Sequence, residues 1–262
     1  HLHHRRGRVM TLHLRLLTLY PDRMNIYADR GNIAFLRRRC QWRGIGFSET
    51  GVYLGDGLDP AEHDLFYIGG GQDRDQVAVA EDLLATKRAA LAEALDAGKA
   101  MLAVCGGYQL LGHSYQLGSE RLPGLGLADL ETVREAGPRL IGNIEIATDL
   151  ERSTPLARPT GGRLVGFENH GGRTTLGPTA RPLGRVISGH GNDGQDGTEG
   201  VIDRNLIGTY LHGPLLPKNW WLTDHLIQTA LESRYGGPLE LAPLDDTFER
   251  AANACARDAL NR

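Results

Sequence analysis

Cysteine is scarce: the 262 residues include three, Cys40, Cys105 and Cys255, an odd number at wide spacing with no CxxC pair. That excludes a disulfide framework and a zinc site built on Cys pairs, and it fits a reducing, cytoplasmic setting. No apolar run approaches the ~20 residues that span a bilayer, so no membrane span is expected. No GxxxxGK[ST] occurs, so a phosphate-binding loop of that type is missing. Lysine is nearly missing as well, with only Lys87, Lys99 and Lys218 among 29 basic residues. The arginines are interspersed with acids to leave a net charge of −3, and apart from "RRGR" near the start nothing resembles a nucleic-acid-binding patch. What remains is 40% hydrophobic and 23% charged, ordinary for a water-soluble globular protein and long enough to bury a core without staples. Residues 1–9, "HLHHRRGRV", carry neither a packing pattern nor the apolar stretch of a signal peptide. They are expected to be a tail or extension, and 10–262 a single domain.

Periodicity outlines an α/β chain. "TLHLRLLTLY" (Thr11–Tyr20) reads as a first strand broken by Pro21, and residues 24–45 as an amphipathic helix interrupted near Gly31. "GFSETGVYLGDG" has strand and turn character, and "DLFYIGGGQDRDQ" is an apolar strand ending in three glycines. A long helix over Gln76–Ala97, closed by Gly98, leads to the short buried strand "AMLAV". This alternation predicts a mostly parallel sheet with helices on both faces. Beyond Gly118 the pattern is rich in strands and loops, with Gly189–Gly200 the segment expected to be mobile. "WWLTDHLIQTALESRYG" returns to helix, followed by a linker and a terminal helix.

"MLAVCGGYQLLG" (Met101–Gly112) places a thiol at the corner between strand and helix. A nucleophile elbow needs a strand, a strained turn carrying the reactive residue, small neighbours and a helix N-terminus facing the site, and each is present. Gly106 and Gly107 leave room for a substrate carbonyl, the Gly106 N–H can meet an oxyanion, and the helix start favours a thiolate. Cys40 and Cys255 lack this context and are assigned to packing or surface. A base is needed, and ten histidines compete. His113 is expected on the elbow helix. His212, in "GTYLHGP", projects from the carboxyl end of an apolar strand, where doubly wound sheets keep their active sites, and is the chosen base. His170, in "FENHGGRT", is expected as a loop histidine bonded to backbone.

Cys-Gly-Gly-Tyr-Gln from Cys105 to Gln109, "YIGGGQD" and "TYLHGP" together resemble class I glutamine amidotransferases of the cobyric acid synthase-like branch. Within it, "LYPDRMNIYADRGN", "GPRLIGNIEI" and "GFENHGGRT" bring the chain nearest the glutaminase subunits of lipid II isoglutaminyl synthase. The resemblance implies a flavodoxin-like fold that hydrolyses glutamine to glutamate and ammonia, with Cys105 as nucleophile and His212 as proton shuttle. It implies oxyanion donors at Gly106 and in the Gly69–Gly71 loop, with Gly70 preferred. Arg139 matches the family's substrate-binding position, its planar fork suiting a carboxylate, and Gln109 is expected either to line the same pocket or to serve packing inside its helix. The family's usual acid two residues after the histidine is Pro214 here. The resemblance implies that an aspartate from a Mur-ligase-like partner, MurT, completes the triad in a heterodimer; an internal acid, Glu168 or Asp224, is the alternative source. It places ATP and Mg on that partner, no cofactor in this chain, and the membrane-bound acceptor, lipid II, within the partner's reach. Cobyrinate-type amidation, a silent partner-binding scaffold and a DJ-1-like cysteine hydrolase are the competing readings.

Overall fold

The computed structural model describes residues 10–25, 30–148, 150 and 159–261. The expected tail, residues 1–9, and the part of the predicted first helix at 26–29 lie outside them. The chain starts on β1 (His13–Leu19), passes through α1 (Arg30–Gln41) to β2 (Gly46–Val52), and returns to β3 (Leu65–Ile68) on the other side of β1. From β3, α2 (Asp73–Asp82), a π turn (Leu83–Lys87) and α3 (Arg88–Asp96) lead to β4 (Ala100–Val104), followed by Cys105 and the one-turn α4 (Gly106–Gln109).

The next strands are β5 (Ser114–Leu117), β6 (Glu120–Pro123), β7 (Leu130–Arg134), β8 (Leu140–Thr148), β9 (Arg163–His170), β10 (Gly172–Leu176), β11 (Gly184–Ser188) and β12 (Thr198–Glu199). They form two four-stranded sheets, β10-β7-β5-β6 and β12-β11-β8-β9. The chain then rejoins the central sheet through β13 (Val201–Asp203) and β14 (Leu206–Thr209) and finishes with α5 (Leu215–Lys218), α6 (Trp220–Tyr235) and α7 (Thr247–Asp258).

The central sheet has the order β13-β14-β4-β3-β1-β2 and is parallel except for the edge strand β13. Its inner strands are apolar because both faces are covered: every residue of β3, β4 and β14 is buried. α6 packs on α1, β1, β3 and β4, and α3 packs on β4. Each fully buried Leu or Ile here contributes about 1.5–3 kcal/mol. The winding direction reverses between β1 and β3, and such reversals open a crevice at the carboxyl ends of the strands.

Several local expectations are corrected. Among the described residues the first helix spans Arg30–Gln41 and stops short of the predicted end at 45. The expected Gln76–Ala97 helix starts at Asp73 and contains the π turn. That turn directs Lys87 inward, where its buried ammonium donates to Tyr53 O (2.9 Å), Asp82 Oδ2 (2.5 Å) and Thr86 Oγ1 (3.0 Å). A buried ammonium needs such a set of acceptors, and a regular helix would not turn the stem that way. The elbow helix lasts one turn, because Leu110 to Ala128 fold back on themselves: Leu110 O accepts from Leu125 N and Gly112 O from Gly126 N, both at 2.9 Å. His113 therefore lies outside it and pairs with Asp129 at 2.9 Å. Gly189–Gly200, expected to be mobile, is tied down. Glu168 accepts from His190 N (2.6 Å) and Gly191 N (3.0 Å), and the fully buried Asn192 bonds Tyr108 and Gly200.

Candidate active site

β4 delivers Cys105 to the carboxyl edge of the sheet with φ +51° and ψ −111°. A β-carbon makes that conformation costly, by ~1–3 kcal/mol, and the surroundings enforce it. Gln109 N bonds Cys105 O (3.0 Å), Cys105 N bonds Thr209 O (2.9 Å), and Gly107 N donates to Gly69 O (3.1 Å). A Cβ on Gly107 would lie 2.8 Å from Ile68 O and 2.9 Å from Gly69 O, so only glycine lets the elbow sit this close to the β3 loop. Because α4 has a single turn, few peptide dipoles add along it, and the thiolate-stabilising field expected from a longer helix is correspondingly smaller.

The thiol borders a cavity of about 50 Å3. Gly71, Gly106 and Gln109 line its floor, and Asp73, Arg134 and Arg139 line it as well. Gly71 N lies 3.1 Å from where a Cβ on Gly106 would stand, so the glycine turn packs directly on the start of the elbow helix. Gly70, the preferred donor of the sequence reading, is buried, and it is Gly71 that lines the cavity. Gln109 reaches the wall with both ends engaged: Oε1 accepts from Gln76 Nε2 (2.9 Å) and Nε2 donates to Tyr210 Oη (3.2 Å). Arg139 lies on the rim, where Nε donates to Asn169 Oδ1 (2.7 Å) and Nη2 to Asn169 O (2.9 Å).

β14 runs parallel to β4 with Thr209 opposite Val104, so its last residues emerge beside the elbow. Cys105 Sγ donates to Tyr210 O at 3.6 Å. Two residues on, His212 is held by Phe167, the pair exchanging N–H···O bonds of 3.0 Å each way. The structure thus brings Cys105 and His212 to the same end of adjacent parallel strands. His212 is almost wholly buried. Burial above all, helped by Lys218 and His170 and opposed by Glu168, pushes its imidazole down to about 4. It is therefore a neutral ring at neutral pH, able to accept a proton.

Behind the histidine strand, Glu199 accepts from Tyr210 N (2.6 Å) and Thr209 Oγ1 (2.8 Å). The Tyr210 ring stacks on His170, centroids 3.6 Å apart at 5°, and its hydroxyl also bonds Thr174 (2.7 Å). His170 ends β9, so it is a strand residue and not a loop one. Its Nδ1 meets Gly172 O at 2.8 Å, which is a backbone bond as expected, but the ring also lines the cavity and its Nε2 approaches Glu168 Oε2 at 3.3 Å.

The two internal acids differ. Asp224 lies on α6, lines no part of this cavity, and is shared between Arg39 (2.7 and 2.6 Å) and Arg43 (2.8 and 2.9 Å). Burial works to raise its pKa, but the two guanidinium groups prevail and hold it below the usual carboxylate range. Glu168 is fully buried and belongs to the His170 cluster.

Sequence reasoning missed Asp73, Gln76, Arg134, Asn169, Tyr210 and Glu199. For Asp73 a signal was present, since only Gln72 separates it from the three-glycine turn and it must share that end of the sheet. For Tyr210 the signal was its place between the strand and His212. The others reach the site through contacts distant in sequence.

Residues 15–220 match the model of the CobB/CobQ-like glutamine amidotransferase domain. The chain is 41% identical to the "Lipid II isoglutaminyl synthase (glutamine-hydrolyzing) subunit GatD" of Staphylococcus aureus (strain N315), over 88% of this chain and 89% of that one. It is 36% identical to the subunit of the same name from Streptococcus pneumoniae (strain ATCC BAA-255 / R6), over 84% and 81%. A cobyric acid synthase of Pelotomaculum thermopropionicum is 33% identical over 79% of this chain, which spans 42% of that protein. Among solved structures, PurLQS from Thermotoga maritima superposes with a TM-score of 0.54 at 17% identity, covering 84% of this chain and 97% of that one, a likeness of fold. The chain is a member of the CobB/CobQ-like glutamine amidotransferase family.

Proposed function

We propose that this chain is the glutaminase subunit of a lipid II isoglutaminyl synthase, supplying ammonia to a Mur-ligase-like subunit of the MurT kind. The observation that carries the reading is the strained Cys105 elbow, facing a cavity beside the strand end that bears a neutral His212.

Cys105 gives its proton to His212, and the sulfur attacks the side-chain carboxamide carbon of glutamine. The oxyanion meets the N–H of Gly106 and an amide of the Gly69–Gly71 loop. Collapse breaks the C–N bond, the protonated His212 passes its proton to the departing nitrogen, and ammonia leaves a γ-glutamyl thioester. Water, deprotonated by His212, then cleaves the C–S bond and restores the thiol. Arg139 receives the α-carboxylate.

The acid that orients His212 comes from the partner subunit. Asp224 is committed to Arg39 and Arg43, and the Glu168 oxygens accept from the amides of His190 and Gly191. ATP and Mg act on the partner, which activates the D-glutamate α-carboxyl that the ammonia converts to D-isoglutamine, and the complex works in the cytoplasm.

Tagged chain isolated from its host, with the subunits it retains, is assayed for glutamine-dependent amidation of lipid II and of a cobyrinic acid acceptor. Cys105→Ala is expected to abolish glutamine turnover and glutamine-dependent amidation while amidation from free ammonia persists. Glutamine turnover surviving in Cys105→Ala defeats the reading, and amidation of the cobyrinic acceptor alone moves the chain to the other branch of its family.

A further inference from the structure

The charged side chains on the cavity wall have an arrangement that the hydrolytic steps do not use. Asp73 supplies its carboxylate, while Arg134 and Arg139 supply two guanidinium groups. Asp73 opens α2 with Gln72 alone between it and the glycine turn, and Arg134 ends β7. The two form an ion pair. Both guanidinium groups border the same spot: a Cβ on Gly171 would lie 3.2 Å from Arg134 Nε and 3.5 Å from Arg139 Nη1. Among the described residues Arg139 has no carboxylate partner, its bonds going to Asn169. The paired side chains line the same cavity as the thiol, so a substrate that enters it meets both charges.

A half-exposed ion pair contributes little to folding, and both side chains here keep solvent contact at 35% and 47% exposure. They are therefore free to exchange partners. The group that would separate them must itself carry both charges, and it must extend a neutral arm toward Cys105.

We propose that Asp73 and Arg134 are the two jaws of a zwitterion clamp: Asp73 takes the α-ammonium of the substrate, and Arg134 joins Arg139 on its α-carboxylate. The clamp rests on the glutaminase reading and gives it the specificity for a free amino acid over a peptide-bound or des-amino amide. In the empty site the jaws hold each other. Substrate binding then exchanges one ion pair for two.

The test measures kcat/KM for ammonia release by the complex isolated on the tagged chain, with three amides: L-glutamine, glutaramate, which lacks the α-ammonium, and 4-aminobutanamide, which lacks the α-carboxylate. A charge-assisted hydrogen bond is worth about 1.5–3 kcal/mol, roughly a ten- to hundredfold preference. Wild type is expected to prefer glutamine to each truncated amide by at least that factor. Asp73→Asn should erase the preference over glutaramate, mainly through KM, and Arg134→Gln should reduce the preference over 4-aminobutanamide. Alkylation of Cys105 by iodoacetamide, which carries neither charge, should keep its rate in Asp73→Asn. An Asp73→Asn variant that keeps its preference, slows with glutamine and glutaramate alike, or alters the iodoacetamide rate overturns the clamp while wild-type glutamine turnover leaves the glutaminase reading standing. Wild type that releases ammonia from none of the three overturns both.

Discussion

Phe167 of β9 and His212, three residues past the end of β14, exchange two main-chain hydrogen bonds of 3.0 Å. Their rings meet edge to face at 5.7 Å. The proposed base is thus located by β9 of an added sheet as much as by β14 of the parallel one. Any shift between the two layers moves it relative to Cys105.

The burial that results has a measurable cost at low pH. An unfolded His takes up a proton near 6.5, whereas folded His212 does so only near 4. Between these values the unfolded chain holds more protons, so stability present at pH 7 falls as the pH drops through this window, by about 3 kcal/mol in all. Urea unfolding at pH 7, 5.5 and 4.5 should show this slope in the wild type and a flatter one in His212→Gln. Equal slopes would mean that His212 is not the group responsible.

Glu199 behaves in the opposite sense. Burial chiefly, with Glu168 adding and the bonds from Tyr210 and Thr209 opposing, raises its carboxyl from 4.5 to about 8. The unfolded chain therefore releases this proton first as the pH rises, and the stability present below about 4.5 is lost as the pH climbs through 8. Glu199→Gln, a neutral mimic, should hold its Tm between pH 6 and 9 better than the wild type does. A parallel decline in both proteins would contradict this.

Asp224→Ala leaves Arg39 and Arg43 without the carboxylate they share, the kind of loss that costs about 3–5 kcal/mol. Denaturant titration should show it, while kcat/KM per folded molecule stays near wild type. A matching collapse in kcat would return Asp224 to the list of triad acids.

Gly107→Ala forces a methyl against Ile68 O and Gly69 O. Overpacking of this kind costs about 1–3 kcal/mol, and here it must move the elbow or the glycine turn. Glutamine turnover should fall at least tenfold with the protein still folded. Near-normal turnover would show that the two loops need not touch.

Short-range signals carried the parallel core. β3 and β4 are continuous apolar runs, and Cys105-Gly-Gly announces a bend because only small residues fit there. The π turn was invisible because it depends on Lys87 finding acceptors on Tyr53 and Asp82, partners set by tertiary packing. The early end of α4 was hidden for a related reason: "GGYQLLG" keeps a helical pattern, and the fold-back of Leu110 to Ala128 overrides it. Gly189–Gly200 is polar and glycine-rich, yet Glu168 and Asn192 supply the bonds that composition suggested it would lack. Asp73 and Arg134 stand 61 positions apart, and no local period joins them.

The backbone at Cys105 sets up a conflict between durability and chemistry. Glycine is the residue at ease at φ +51°, so Cys105→Gly would relax the main chain while discarding the sulfur. Drift toward a sturdier protein therefore points directly at loss of the nucleophile, and a thermal-stability screen without an activity filter would gather dead variants at this position.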